Sequence, residues 1–365
     1  MKLANFNYSY PESLIALKPL ERRADSRMML VKRQPLSFRK SFVKDLSEIL
    51  NEDFVLVFNE SPVIPSRFKA KKKSGGDLEG LLLHSLEAVS VRVWLQGKVQ
   101  PGDSIQLAGS EEWIKILEKE DREVTLEIGL LEFQIYLQKF GLPGVPPYIR
   151  KVRKKMWGSE EWASDSERYQ SILAKKTFGS DTSSSTGYSV AAPTASLHFD
   201  QDLLSSLAAK GVQRRFLKLD VGAGTFAPLE EKMLLQNRLH VERVEMSDDL
   251  FSELCDLKKK GKKVIAVGTT PVRALESAAI RRRSGLQLGS FETDIFIHPD
   301  REFNFQMVDG LFTNFHQPES SLLLLIARFM EPEAESIQHH WRQVYEFAVA
   351  EEFRLFSYGD AMLIL

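Results

Sequence analysis

The stretch Val264-Ile-Ala-Val-Gly-Thr-Thr-Pro-Val-Arg273 decides the fold class, because it passes from a strand through a tight turn into a helix. Val264–Val267 is a short apolar run of the kind that forms a buried strand. Proline suits the first turn of a helix, so we predict a helix over Pro271–Ala279. A strand joined to a helix in this way is the repeating unit of an α/β protein.

The turn between this strand and helix is also a candidate binding site. Backbone N–H groups converge near Gly268 with the hydroxyls of Thr269 and Thr270, as binding an anion or a ribose requires. Arg273 and Glu276 lie three residues apart on the helix, so we expect them to pair.

Strands and helices alternate from about Tyr148 onward, which predicts an α/β main domain. Further strands are predicted at Phe54–Phe58, Phe216–Val221, Ile295–Ile297 and Ala361–Leu365, and further helices at Phe42–Leu50, Asp200–Lys210, Leu229–His240 and Ser320–Met330. The run at Phe54–Phe58 does not alternate, which indicates a sheet covered on both faces.

Between about residues 69 and 129 the pattern changes to short alternating segments separated by turn residues. These segments are Val91–Leu95, Ser104–Leu107, Trp113–Leu117 and Val124–Ile128. We therefore predict an α/β main domain, formed by residues 1–68 and 148–365, with an inserted small antiparallel β-barrel domain over residues 69–147.

Bulk properties indicate a protein of the cytoplasm. The 365 residues are enough for two domains, and 43% hydrophobic with 27% charged residues is ordinary for a globular chain. The longest apolar run, Leu322–Ala327, is too short to span a membrane, and the N-terminus lacks a signal-peptide layout. A single cysteine, Cys255, excludes an internal disulfide and a thiolate metal cluster.

The stretch Ser189-Val-Ala-Ala-Pro-Thr-Ala-Ser-Leu-His-Phe199 precedes a helix whose natural N-cap is Asp200. Small side chains before a helix let a ligand approach the backbone, so Thr194 is a candidate binding residue and His198 a candidate acid or base. Residues 177–189 are rich in Ser, Thr and Gly, which indicates a flexible loop.

A second glycine turn, Asp220-Val-Gly-Ala-Gly-Thr-Phe226, follows a predicted strand. An acidic strand end before Gly-x-Gly resembles the S-adenosylmethionine-binding turn of Rossmann-like methyltransferases. Phe226 stands where those usually have a third glycine, and Pro228 delays the helix. On either interpretation, the backbone at Gly222 and Gly224 comes close to a ligand.

Three histidines are candidates for proton transfer, and the sequence does not rank them. They are His198, His240 and His316. His240 and Glu242 would share one face of a strand. No His-x-x-x-His or Glu-x-x-His spacing supports a metal site, so none is predicted.

Local basic runs suggest nucleic-acid binding although the net charge is −1. The best candidate run lies beside aromatic residues, which suit unstacked bases. It comprises Arg150, Lys151, Arg153, Lys154 and Lys155, and the aromatic residue Tyr148 lies beside it.

In their order along the chain, these stretches resemble the S-adenosylmethionine:tRNA ribosyltransferase-isomerase family of queuosine biosynthesis. The motifs that carry the resemblance are Val57-Phe-Asn59, Arg67, Pro146-Pro-Tyr-Ile149, Asp220–Phe226, Gly268–Arg273, Thr313-Asn-Phe-His316 and Ser357-Tyr-Gly-Asp360. The resemblance extends from Tyr10 to the C-terminus.

The resemblance implies transfer and isomerisation of the ribosyl group of S-adenosylmethionine onto 7-aminomethyl-7-deazaguanine at the tRNA wobble position. It implies binding to the anticodon stem-loop, no metal and no obligate protein partner. The implied catalytic residues are His198, His240, Glu242 and His316. The implied cofactor-binding residues are Thr194, Asp220, Gly222, Gly224, Thr225, Gly268, Thr269, Thr270, Arg273, Asn314, Tyr358 and Asp360. The implied nucleic-acid-binding residues are Arg67 and the basic run with Tyr148.

Several positions depart from the usual family pattern, namely Pro62, Ser196, Asp220, Asn237 and Glu319. Asp220 stands in place of a His, so we expect it to serve binding and the three remaining histidines to carry proton transfer. Two alternatives stay open. One is a diverged member that binds tRNA or a nucleoside without the usual chemistry, and the other, which Phe226 and Pro228 disfavour, is a methyltransferase.

Overall fold

The computed structural model describes residues 2–83, 89–174, 189–226, 229–331 and 339–365. Within these residues the strands are β1 (Arg27–Lys32), β2 (Ser37–Phe42), β3 (Phe54–Asn59), β4 (Pro65–Lys72), β5 (Asp77–Leu82), β6 (Val91–Gln96), β7 (Ser104–Leu107), β8 (Trp113–Glu120), β9 (Glu123–Leu126), β10 (Leu142–Pro143), β11 (Gln213–Asp220), β12 (Arg238–Met246), β13 (Lys263–Val267), β14 (Gly289–Ile295), β15 (Gly310–Asn314) and β16 (Ala361–Ile364). The α-helices are α1 (Leu46–Ile49), α2 (Leu130–Phe140), α3 (Pro147–Trp157), α4 (Asp165–Arg168), α5 (Gln201–Ala209), α6 (Glu231–Gln236), α7 (Asp248–Lys259), α8 (Thr269–Arg283), α9 (Ser321–Met330) and α10 (His340–Ala350).

The larger sheet contains nine of the described strands in the order β14-β12-β11-β3-β13-β15-β16-β1-β2. Its centre, β11-β3-β13-β15, is parallel throughout. Successive residues of β3 face opposite sides of the sheet. Val55 and Val57 join the core formed with α7 to α10, whereas Leu56 and Phe58 join the core formed with α1 and α5. Helices therefore cover both faces, as the unbroken apolar run of β3 predicts.

The smaller sheet is a barrel, closed by six of the described strands in the order β4-β5-β6-β9-β8-β7 with β7 paired back to β4. Helix α2 packs Phe133 and Leu137 into its core. A Cβ atom at Gly80 would overlap the ring of Phe68, so this strand position needs glycine. The predicted fold class, α/β with an antiparallel β-barrel, is confirmed. The barrel strands begin at Pro65, before the boundary at residue 69, and the division into two domains stays a prediction.

Several predicted elements differ in their bounds. The helix over Leu229–His240 is wrong, because Asn237 adopts a left-handed conformation with φ 53° that ends α6 and lets β12 begin. The strand over Ile295–Ile297 is also wrong, since β14 ends at Ile295. Asp200 caps the start of α5, as predicted. Ser320 caps the start of α9. Residues 177–188 of the predicted loop lie outside the described residues.

Candidate active site

A cavity of about 520 Å³, here called the central cavity, opens where the parallel strands end. Thr269 follows β13, Asn314 ends β15 and Gly224 lies just after β11. In α/β sheets this carboxyl edge is where ligands bind. The predicted site residues in its wall are Tyr148, Thr194, Gly224, His240, Glu242, Gly268, Thr269, Thr270, Arg273, Asn314 and His316.

The other predicted site residues are not part of this wall. They are Arg67, Arg150, Lys151, Arg153, Lys154, Lys155, His198, Asp220, Gly222, Tyr358 and Asp360. The side chain of Thr225 is outside the described part of the chain.

An ion pair in the wall of the cavity joins Arg273 on α8 to Glu242 on β12. Both side chains are at least nine-tenths buried. The expected pair between Arg273 and Glu276 is wrong. Glu276 instead accepts N–H bonds from Gln306, Met307 and Val308 at 2.9–3.0 Å, because the buried chain there needs acceptors.

His240 is the exposed imidazole of the central cavity. It shares a face of β12 with Glu242, as the spacing predicts, so imidazole and carboxylate enter the same space. Gly224 lies directly against the His240 ring, and a Cβ atom at Gly224 would overlap it. Glycine at position 224 therefore leaves room for the His240 ring as well as for a ligand.

We expect Gly224→Ala to push the His240 ring into the space of the ligand. This should weaken binding of S-adenosylmethionine, the ligand that the sequence resemblance implies, as measured by calorimetry on folded protein. Gly222→Ala is the matched control, because nothing lies within 4 Å of a Cβ atom at Gly222. Unchanged affinity in the Gly224 variant, or an equal loss in both, would show that the contact with His240 does not matter for the ligand.

His198 does not line the cavity itself but is hydrogen-bonded to Asn314, which does. The Asn314 amide donates to Nε2 of His198 at 3.2 Å and to the carbonyl oxygen of Phe356, while its oxygen accepts from the Thr194 hydroxyl at 2.9 Å. Nε2 of His198 therefore accepts, which puts the ring proton on Nδ1. Burial, with Arg354 and Arg23 nearby, lowers the pKa of His198 to about 3. The geometry fits a neutral ring that fixes Asn314 and Thr194.

His316 lines the cavity but is itself buried. Its Nε2 is hydrogen-bonded to Thr313 Oγ1 at 2.9 Å, and burial lowers its pKa to about 3. Tyr8 donates to its carbonyl oxygen at 2.6 Å, and its backbone N–H donates to the Tyr345 hydroxyl at 3.1 Å. The ring is held neutral and in place.

Asp220 is not part of the central-cavity wall; with Gly222 it lines a small adjoining cavity of about 30 Å³, which shares Val221 and Glu242 with the central cavity. Ser61 donates to its carboxylate at 3.2 Å, and Arg243 is its partner across the β11–β12 ladder. Burial raises the pKa of Asp220 to about 6. The carboxylate thus has protein partners, and the structure gives it no place in the wall of the central cavity.

Tyr358 and Asp360 belong to the buried core beside the cavity. Asp360 pairs with Arg27 and Arg354. The Tyr358 hydroxyl donates to Asp165 at 2.9 Å, so the ring closes the core and is not free to stack on a base.

The basic run on α3 divides into two faces. Ile149, Val152 and Arg153 form the buried face at helical spacing, and Arg153 is fully buried against Asp165. Arg150 pairs with Glu79 and Glu160, and Arg67 pairs with Glu79 and Glu161. Direct contact of Arg153 with a nucleic acid is therefore wrong, because its charge is already neutralised inside the fold. Three lysines of the run remain exposed, Lys151, Lys154 and Lys155.

Sequence reasoning missed several residues of the wall. Leu3 reaches it from the N-terminal segment, and Phe356 and Ser357 reach it from the loop before β16. Ser357 is the first residue of a motif quoted above, so that motif is the signal that could have identified it. Leu3 has no motif or periodicity around it.

The described residues contain no group of three or more His, Cys, Asp or Glu side chains suited to a metal ion. Every helix of the described part is too short or too polar to cross a bilayer. After β11, a short 3₁₀ helix over Ala223–Phe226 precedes α6 at Glu231, so within the described residues no α-helix starts at the glycine turn, although the Rossmann interpretation requires one.

Fold and site define an α/β protein with a β-barrel and a ligand cavity at the carboxyl edge of its main sheet. The chain belongs to the queuosine biosynthesis protein family, whose model matches residues 3–364. It is 38% identical, over 100% of its length and 98% of the relative, to an S-adenosylmethionine:tRNA ribosyltransferase-isomerase from Acidithiobacillus ferrooxidans. An enzyme of the same name from Carboxydothermus hydrogenoformans is 36% identical over 100% of both chains.

The fold is also similar to a crystal structure, that of an S-adenosylmethionine tRNA ribosyltransferase from Thermotoga maritima. The two have a TM-score of 0.52 and 27% identity, with 99% of each chain covered. Family and fold agree that this is an enzyme of queuosine biosynthesis.

Proposed function

We propose that this chain transfers and isomerises the ribosyl group of S-adenosylmethionine onto 7-aminomethyl-7-deazaguanine at the tRNA wobble position. The product is epoxyqueuosine, and adenine and methionine are released. The observation that carries the proposal is the convergence of five separate family motifs on one cavity of about 520 Å³, a size suited to a nucleoside substrate.

The chemistry begins at the ribose. The sulfonium acidifies the 5′ carbon, a base takes a proton there, and adenine leaves with a proton from a donor. The exocyclic amine of the modified base then attacks the sugar, and closure of the epoxide breaks the carbon–sulfur bond and expels methionine. The steps need positioning and proton transfer, and the reaction as proposed uses no metal.

Among the three candidate histidines, His240 fits the role of base. It is exposed in the cavity and shares its strand face with Glu242. His198 and His316 are buried, and a ring whose conjugate acid has a pKa of about 3 is a weak base. His198 acts through Asn314 as a positioning residue, and His316 shapes the wall.

The tRNA substrate is proposed to reach the cavity along α3. Tyr148 in the first turn of α3 lines the cavity, whereas Lys151, Lys154 and Lys155 further along are exposed. Met156 and Trp157 near the end of the helix are exposed as well, at 62% and 42%. A base flipped out of the anticodon stem-loop into the cavity would leave its phosphates near this basic surface.

The lysines are expected to set the salt dependence of tRNA binding. Replacing Lys151, Lys154 and Lys155 with Ala should lower the log–log salt slope by about 0.7–0.9 for each lost phosphate contact. Filter binding across a salt series measures the slope.

The matched control replaces Lys259, Lys260 and Arg283 with Ala. They lie where α7 and α8 end, at the amino edge of the sheet opposite the cavity. An equal change in both triple variants would mean that α3 is ordinary solvated surface.

Mass spectrometry of precursor tRNA incubated with the protein and S-adenosylmethionine tests the function. We expect an epoxycyclopentane-type adduct with release of adenine. A gain of one methyl group would support a methyltransferase, and tRNA binding without any product would support a diverged binder.

A further inference from the structure

We propose that one edge of the Arg273 guanidinium, together with the first turn of α8, forms an oxyanion subsite that holds the carboxylate of the methionine portion of S-adenosylmethionine. The inference rests on the proposed function and specifies which group of the substrate lies at this end of the cavity. Arg273 lines the central cavity and is 6% exposed.

Arg273 is only half paired within the described residues. Its Nη1 donates to Glu242, whereas Nε and Nη2 are buried and find no hydrogen-bond partner there. Nε and Nη2 lie on the same side of the planar guanidinium and present two parallel N–H donors. That edge matches the two oxygens of a carboxylate.

Buried donors without partners are unfavourable, because each has lost its hydrogen bonds to water and gained none in the protein. At the wall of a cavity, a ligand can supply the acceptors that such donors lack. Glu242 is bonded to Nη1, so the two donors without partners, Nε and Nη2, form the edge of the guanidinium that Glu242 leaves unused.

The first turn of α8 adds donors at the same end of the cavity. The N-cap is Gly268, which has no side chain to cap the turn, and the backbone N–H groups of Thr269 and Thr270 begin the helix. The Thr270 hydroxyl is also buried without a partner in the described structure. The helix has 15 residues, so its N-terminus carries a partial positive charge that favours an anion.

The two anions that the proposed reaction offers are the methionine carboxylate and a tRNA phosphate. The carboxylate fits better because the two donors without partners are buried, so only a narrow group can reach them. A phosphate of the RNA backbone would have to enter with its neighbouring sugars, whereas the carboxylate ends a narrow chain.

The experiment is calorimetry with S-adenosylmethionine and with its decarboxylated analogue, which keeps the sulfonium, ribose and adenine. Wild-type protein should bind S-adenosylmethionine at least about tenfold more tightly than the analogue, which corresponds to about 1.4 kcal/mol. Arg273→Gln should remove this preference while leaving affinity for the analogue nearly unchanged. Arg283→Gln, at the exposed end of the same helix, should behave as wild type.

Equal wild-type affinity for both compounds would overturn the subsite without any variant, so a misfolded Arg273→Gln protein cannot hide the answer. A loss of tRNA affinity with unchanged S-adenosylmethionine affinity in Arg273→Gln would assign the edge to a phosphate and overturn the carboxylate. If wild type prefers S-adenosylmethionine but yields no epoxyqueuosine, the proposed function fails while the subsite stands.

Discussion

Replacing His240 with Gln is expected to lower the single-turnover rate of epoxyqueuosine formation by about 10²–10⁴-fold, the usual contribution of a general base. S-adenosylmethionine should still bind, because Arg273, Thr270 and Asn314 are untouched. Glutamine keeps a polar side chain against Gly224 but accepts no proton at neutral pH. Rapid-quench assays on precursor tRNA measure the rate, and calorimetry measures the binding.

The comparison variants are His198→Gln and His316→Gln. Both rings are buried, and burial lowers the pKa of each to about 3, so neither is expected to carry the proton. His198→Gln should act through Asn314, and its main effect should be a raised KM for S-adenosylmethionine. Normal turnover in His240→Gln, with a loss in either comparison variant, would move the base to another residue.

Replacing Asp165 with Ala is expected to lower the free energy of unfolding by about 3–5 kcal/mol, because it leaves a buried charge without its partner. Arg153 donates to Asp165 through both terminal nitrogens, one at 2.9 Å, and its side chain has no exposed surface. The Tyr358 hydroxyl loses its acceptor at the same time. Urea unfolding at neutral pH measures the change.

The matched control is Glu12→Ala, which breaks the pair between Glu12 and Lys155, another basic residue of α3. That pair is exposed, at 46% and 70%, so its loss should change stability by no more than about 1 kcal/mol. A small effect in Asp165→Ala, similar to that of the control, would mean that Arg153 finds other partners or water when Asp165 is missing.

The sequence predicts those parts of the fold that local patterns determine. Unbroken apolar runs identify β3 and β13, and Asp200 identifies the start of α5, because each signal lies within a few residues. The run Leu229–His240 is predicted to be one helix. Its end depends on a single left-handed residue, and β12 is stabilised by pairing with β11 and β14, which local periodicity does not reveal.

The same limit applies to the site. Thr269, Arg273, Asn314 and His316 line one cavity, because their motifs lie at the ends of the parallel central strands or in the first turns of the helix that follows. Arg153 illustrates the opposite case. Its neighbours suggest a basic surface, but the spacing with Ile149 and Val152 puts it on the inner face of α3, where Asp165 is its partner. The partner of a charged residue depends on the folded structure, which brings together residues that are separated in the chain.

The position of β16 has a consequence for how the protein is made. This strand, residues 361–364, lies between β15 and β1, and so joins the earliest strand of the main sheet to its centre. A ribosome completes β1 long before it completes β16. Until then the hairpin of β1 and β2 has no neighbour on its inner edge, and Ser357 and Phe356 cannot yet close the wall of the cavity. A growing chain therefore holds no finished pocket until residues 356–364 have been made and β16 has been inserted between β15 and β1.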